Sequence, residues 1–302
     1  MKLDVIGFGA LNLDKLYRVT RIAGAGEEGY ITRYTESSGG SAANTIVGLA
    51  RLGVNVGCIG KLARDREGRR ILRDLVNEKV DVNGVVVSED GASGVVFCFV
   101  DEGGERTMYV QPGVNNELTQ QEVDVDYGRN TQFLHLSSFI SKKPFEAQQE
   151  LLNACDDVQV SLDPGMYYAT KGVQALRPIL KRCYTVFPNE REVKLLTGEE
   201  YVKGARVLLR EGTLIVAVKL GARGCYVTDG VEEHLIDAYE VKVVDTTGAG
   251  DAFCAGFLYG LLKGKDLYTC GELGNYVASR KIGIDGARDG LPNRSDLPSH
   301  LR

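Results

Sequence analysis

The chain has 302 residues, 43% hydrophobic and 25% charged, long enough for one large α/β domain and too ordinary in composition for a fibre or a disordered chain. Acidic residues outnumber basic ones by 41 to 36, a formal net charge of -5, which argues against nucleic acid as a partner because backbone phosphates require a basic face. Seven scattered cysteines without a C-x-x-C pair, and only three histidines, argue against a disulfide framework or a zinc centre.

The chain enters a strand pattern at residues 4–8 without the charged-then-apolar pattern of a signal peptide. No apolar run reaches bilayer-spanning length, so no membrane partner is expected and a cytoplasmic enzyme fits. Further strand patterns fall at 55–59, 133–136, 158–162, 184–187 and 214–218. Helical patterns lie near 41–52, 65–78, 145–155, 172–182, 190–197 and 202–210. Such alternation predicts a mainly parallel sheet covered by helices on both faces, with ligands at the carboxyl ends of the strands. Residues 16–36 and 93–111 interrupt it with β-rich sequence and a tight turn at 101–104. They read either as a small separate sheet, a lid, or as extra strands at the edge of the main sheet. A single domain over 1–302 with this insertion is expected.

The strongest local signal is DTTGAGD at 245–251, preceded by a strand pattern at 239–244 and followed by a helix pattern at 252–263. Small residues at Gly248, Ala249 and Gly250 let backbone approach an anion at a helix start, where N–H groups and the helix dipole favour negative charge. Asp251 beside that site can accept a proton from an attacking hydroxyl, or it can simply cap the helix. Ala252, Gly256 and Gly260 form a small-residue face suited to close helix packing. A second signal is GGSAAN at 39–44, where Ser41 can cap a helix and Asn44 can offer a donor and an acceptor to ligand hydroxyls.

Together, Gly39-Gly40-x-x-x-Asn44 and the 245–251 run resemble the two signatures of the ribokinase-like (PfkB) family of carbohydrate kinases, in matching order and separation over essentially the whole chain. The resemblance implies a three-layer α/β/α fold with a β-sheet lid, and an ATP- and Mg2+-dependent phosphotransferase. It makes Asp251 the catalytic base and Gly248, Ala249 and Gly250 the anion hole. Asp14, Gly39, Gly40 and Asn44 would bind substrate. Arg106, on the lid hairpin, would stand near it. Asn189 and Glu192 match an N-x-x-E motif that helps place magnesium. Lys219, Gly221 and Gly224 match a loop past the nucleotide phosphates, and Asn275 and Ala278 would border adenine. Asp245, the Thr247 carbonyl and the 284–290 loop match a monovalent-cation (K+) site, although Gly290 stands where some relatives carry serine.

The nucleotide-binding pattern begun by Gly7 and Gly9 fails at Asn12, and no G-x-x-x-x-G-K-[ST] occurs. His135, on a buried-looking strand, reads as a core residue. Asp163 is followed by no arginine of the kind that ketodeoxygluconate kinases use, so an acidic sugar is disfavoured. A nucleoside kinase of the same family, or a catalytically weak ligand-binding homologue, are the competing functions. Exposed lid strands suit a homodimer.

Overall fold

Uninterrupted apolar runs determine the centre of the molecule: strands whose two faces are both apolar need helices on both sides. In the computed structural model, which describes residues 2–302, thirteen strands follow in chain order. They are β1 (Leu3–Phe8), β2 (Asn12–Val19), β3 (Ile31–Gly39), β4 (Val56–Ala63), β5 (Asp81–Ser88), β6 (Gly94–Val100), β7 (Arg106–Gln111), β8 (Thr131–Ser137), β9 (Gln159–Asp163), β10 (Cys183–Val186), β11 (Ile215–Lys219), β12 (Cys225–Thr228) and β13 (Glu233–Ile236).

Nine strands form the main sheet in the order β13-β12-β11-β10-β9-β8-β1-β4-β5. Pairing is parallel from β5 to β11, and β12 and β13 close one edge antiparallel. Successive side chains point to opposite faces, so Val5 joins one buried cluster and Ile6 the other. His135 is fully buried, its Nδ1 paired with Ser161 Oγ at 3.0 Å, and burial pushes its pKa down to about 4: a core residue. The chain leaves β1 for β4 on one side and returns to β8 on the other. This makes the carboxyl end of β1 a switch point, where a cleft opens.

The remaining four strands form a separate sheet, β3-β2-β6-β7, so the insertions are not edge strands of the main sheet. β2 starts at Asn12 and β3 runs to Gly39, beyond the expected bounds, which puts Asp14 on a strand, paired with Ser37 and Val96, rather than in a turn. The helix Ala249–Leu262 packs its small-residue face on the helix Leu267–Ile282, and a Cβ at Gly256 would meet the Leu273 carbonyl at 2.4 Å. No described helix is long and apolar enough to cross a membrane.

One expected strand is absent. Residues 239–244 form no strand, although β13 lies at an open edge of the main sheet. The segment is instead tied to the end of the last long helix by Val244 N–H and Asp245 N–H, which donate to the Ile282 carbonyl at 2.8 and 3.2 Å. Val241 and Val243 therefore stay partly exposed and line a cavity.

Candidate active site

The 245–251 run turns into its helix through Gly248, whose φ of 75° is left-handed and whose added Cβ would lie 2.7 Å from the Ala287 carbonyl. Gly248 is the N-cap and makes no side-chain cap bond, and Asp251 sits in the first turn instead of capping it. Of the small-residue amides, Ala249 N–H donates to the Thr246 carbonyl at 3.1 Å. Those of Gly248, Gly250 and Asp251 meet no acceptor among the described residues, so the open amides are 248, 250 and 251 rather than 248–250. Unpaired N–H groups at the start of a long helix are the physical requirement for holding an anion.

Asp251 is gripped from the opposite end of the chain. Its Oδ1 accepts from Ser41 Oγ at 2.7 Å and its Oδ2 from Asn44 Nδ2 at 2.8 Å. The helix Ser41–Arg51 begins after Gly40 with no side-chain cap, so Ser41 spends its hydroxyl on Asp251 and not on the helix end. Asn44 is equally committed: its Oδ1 accepts from Arg288 Nε at 2.7 Å. Asn44 is thus bonded at one amide N–H and at its oxygen and orients the carboxylate, while its second N–H and second lone pair stay available to a ligand. Burial raises the pKa of Asp251, helped by Asp163 and opposed by the bonds from Asn44 and Ser41.

Arg288, buried and donating also to the Gly39 carbonyl at 3.3 Å, links this pair to Asp14. The Asp14 carboxylate lies flat on Gly39, where a Cβ would meet Oδ2 at 2.2 Å, which explains the glycine. Enclosure by neighbouring atoms pushes the Asp14 carboxyl up to about 7, against the pull of Arg288 and with a further push from Asp251. The folded chain thus holds this proton more tightly than the unfolded one, so stability falls as pH rises from about 4 to about 7. Asp14→Asn is expected to raise the melting temperature above pH 7 by ~2–4 °C, the size of a 1 kcal/mol effect in a large domain, and to leave it unchanged near pH 4. Calorimetry across that range checks this; a deficit of equal size at every pH would contradict the buried-carboxylate account.

Lys219, at the end of β11, donates to Asp163 Oδ2 at 2.7 Å and packs on the backbone of Gly250, where a Cβ would lie 3.2 Å from Nζ. Burial pulls the Lys219 ammonium pKa down, but Asp163 and the nearby acids more than offset it, and the ammonium is strongly held. Asn189 and Glu192 form a reciprocal cap at the start of the helix Glu190–Thr197: Glu192 N–H donates to Asn189 Oδ1 at 2.9 Å and Asn189 N–H to Glu192 Oε2 at 2.8 Å. Glu192 is 5% exposed, not a surface helix acid. Burial raises its pKa, Lys219 lowers it and Asp163 raises it.

These groups line one cavity of about 750 Å³. Its polar lining includes Asn189, Glu192, Lys219 and Asp251, and its apolar lining Ala278, Val241, Val243 and Phe253; Gly221, Gly224 and Asn275 also line it. Asn275 Nδ2 is spent on the Ile236 and Asp237 carbonyls, at 3.0 and 3.1 Å, so it anchors the wall. A second pocket of about 160 Å³ opens between the main sheet and the smaller sheet, lined by Asn12, Val96, Asn116, Ser138 and Tyr167 among others. Ser41 and Ser138 line both, which places Asp251, bonded to Ser41, where the two meet.

Two expectations fare differently. Arg106 pairs with Val100 at the outer end of the smaller sheet, exposed. It stands four residues along β7 from Val110, ~13 Å at strand rise, so the structure does not bring it to the pocket. Asp245 and Thr247 do come together, since Thr247 N–H donates to Asp245 Oδ1 at 2.9 Å, and Lys281 donates to the Asp245 carbonyl at 2.8 Å. Lys281 and Asn116 lay outside the sequence motifs, Arg288 entered only as part of the 284–290 loop, and Ser41 and Asp163 carried other expectations. Only the fold gives them these partners.

A doubly wound sheet, an open helix N-terminus beside a half-buried carboxylate and a large cavity suit a nucleotide-dependent kinase of small molecules. The chain belongs to the pfkB family of carbohydrate kinases, whose family model matches residues 2–294. It is accordingly an ATP-dependent sugar kinase. An Archaeoglobus fulgidus protein described as an uncharacterized sugar kinase is 45% identical over 253 residues, covering 83% of this chain and 100% of its own. The ATP-dependent ribose-1-phosphate kinase of Halopiger xanaduensis is 34% identical over 285 residues, covering 94% and 93%. Among solved structures, the ribokinase of Thermotoga maritima superposes with a TM-score of 0.87 at 26% identity, covering 97% of each chain.

Proposed function

We propose that this kinase transfers the γ-phosphoryl group of ATP to a hydroxyl of a small ribose- or fructose-like sugar, with Asp251 as base. The observation that carries the reading is the position of Asp251, half-buried between the two cavities at an open helix N-terminus. ATP occupies the larger cavity, adenine against Ala278 and Val241, phosphates running past Gly221 and Gly224 toward Lys219. The sugar occupies the smaller pocket. Asn116 Oδ1, buried there without a partner, suits a sugar hydroxyl donor. The family pattern, and not the lining of this pocket, adds Asp14 and Gly40 to the sugar side.

In the reaction, the sugar hydroxyl oxygen bonds to the γ-phosphorus while the bond to the bridging oxygen breaks, in line. The hydroxyl proton passes to Asp251, whose raised affinity for protons suits that task, and ADP leaves with the bond's electron pair. The N–H groups of Gly248, Gly250 and Asp251, with the Lys219 ammonium, hold the charge gathering on the transferred oxygens. Glu192, Asn189 and Asp163 line this cavity beside Lys219 and would hold a magnesium ion through water, an oxygen donor set suited to it. That ion would neutralise phosphate charge. The smaller sheet closes over the sugar and excludes water.

A coupled ADP-release screen tests the substrate: ribose, fructose, their phosphates including ribose 1-phosphate, ketodeoxygluconate and nucleosides. Turnover on the free sugars or sugar phosphates is expected; turnover on nucleosides alone would move the protein to the nucleoside kinases, and ATP binding without turnover on any would favour a binding protein.

The open edges of the smaller sheet support a homodimer. Tyr17 stacks on Tyr34 and Phe99 at ring separations of 4.8 and 5.1 Å, and the row ends in exposed Tyr109. Sedimentation equilibrium should return a dimer that Tyr109→Glu and Tyr34→Glu together dissociate; a monomeric parent sinks the idea. Seven free cysteines, six of them buried, support a cytoplasmic setting.

A further inference from the structure

The loops 245–248 and 284–290 enclose a charged group that phosphoryl transfer, as derived above, leaves unused. Lys281 is 0% exposed. Its Nζ donates to the Asp245 carbonyl at 2.8 Å, and stands 3.5 Å from the Ile284 carbonyl and 3.9 Å from Asp245 Oδ2. Both oxygens of the Asp245 carboxylate are also engaged, accepting from Thr247 N–H and Gly286 N–H at 2.9 Å each, which staples one loop to the other. The next turn is equally full. A Cβ at Gly290 would meet the Lys281 carbonyl at 2.6 Å, so a serine there could not add its hydroxyl to the site without a backbone shift.

The carbonyls and the aspartate gathered here are the kind of donor set that would hold a monovalent cation. An ion placed against Asp245 would stand beside a buried ammonium, where like charges repel strongly because little water screens them. The residues present therefore do not fit such an ion.

We propose that Lys281 is a built-in cation, supplying to the Asp245 loop from inside the chain the positive charge that an ion would otherwise bring. By holding the Asp245 carbonyl it sets the turn that aims the Gly248 and Gly250 N–H groups, a role resting on the anion-site reading of that turn. Lys281 touches neither sugar nor nucleotide, so it is a positioning residue. Turnover is then independent of added monovalent cation.

The test compares the parent with Lys281→Ala, and with Lys281→Met, which keeps the packing but not the charge. Each is measured for kcat, KM and melting temperature in KCl, NH4Cl and tetramethylammonium chloride at equal ionic strength. The parent is expected to give the same kcat and melting temperature in all three. Lys281→Ala should lose at least tenfold in kcat in tetramethylammonium, with KM for sugar little changed. It should recover part of that loss, saturably, in K+ or NH4+, with a parallel rise in melting temperature. Lys281→Met, with the space still filled, should not recover. Saturable activation or thermal stabilisation of the parent by K+ overturns the proposal. So does a folded Lys281→Ala protein that responds to no salt. If Lys281→Ala folds in none of the salts, the parent decides, its salt-indifference sustaining the proposal. The melting-temperature arm is independent of where phosphoryl groups bind. Ion-dependent stability of Lys281→Ala without recovery of kcat would thus count against the anion-site reading alone.

Discussion

Asp251→Asn is expected to lower kcat by about 10³-fold, within the range for loss of a positioned general base, while sugar and ATP affinities stay near those of the parent. The geometry can survive the change. An asparagine there still accepts from Asn44 Nδ2 with its oxygen, and its amide can donate to Ser41 Oγ once that hydroxyl rotates. Stability should hold or rise, because burial and Asp163 make the ionised carboxylate unfavourable and the amide carries no charge. The acid limb of the parent's kcat/KM profile should also lie above the ordinary carboxylate range, since the base must be ionised to work and its proton affinity is raised. Steady-state kinetics with calorimetric binding separates these effects. Turnover within a few fold of the parent would remove Asp251 from the role.

Lys219→Met is expected to cost two things at once. Turnover should fall by ~10²–10³-fold, the usual loss when one preorganised charge-stabilising donor is removed from a reacting centre. Stability should fall by about 3–5 kcal/mol, because Asp163 is left buried without its cation, beside Glu192 and Asp251. Adding Asp163→Asn separates the two. The double variant should recover most of the denaturation midpoint, since no unpaired Asp163 charge remains, yet stay slow. If turnover returns with stability, Lys219 serves the fold rather than the phosphates.

The parts legible in the sequence were those that local chemistry dictates. Alternation of apolar strand and helix patterns gave the layers, because a strand apolar on both faces needs a cover on both. The glycine run at 248–250 and the Asn189–Glu192 spacing could be read for the same reason: a left-handed turn and a reciprocal helix cap are made by residues a few positions apart. Patterning failed at 239–244, where the alternating valines describe a strand but the chain is tied to the end of the last long helix and not to a sheet edge. Arg106 carried the right chemistry, and its distance along β7 from the pocket could not be read from composition.

By itself, then, the sequence determined the fold class, the kinase family and the loop that carries the candidate base. Tertiary structure decided what each side chain in that loop does. Ser41 and Asn44 reach Asp251 across 210 and 207 positions of chain. Asn44 also accepts from Arg288, whose charge acts on Asp14. Only packing showed which amides at 248–251 stay open, that the Asp14 carboxyl holds its proton up to about 7, and that the cation beside Asp245 is a lysine. The division has one physical cause. Backbone conformation depends on near neighbours in the chain, whereas charge, desolvation and hydrogen-bond partners depend on distances that exist only after the chain has closed on itself.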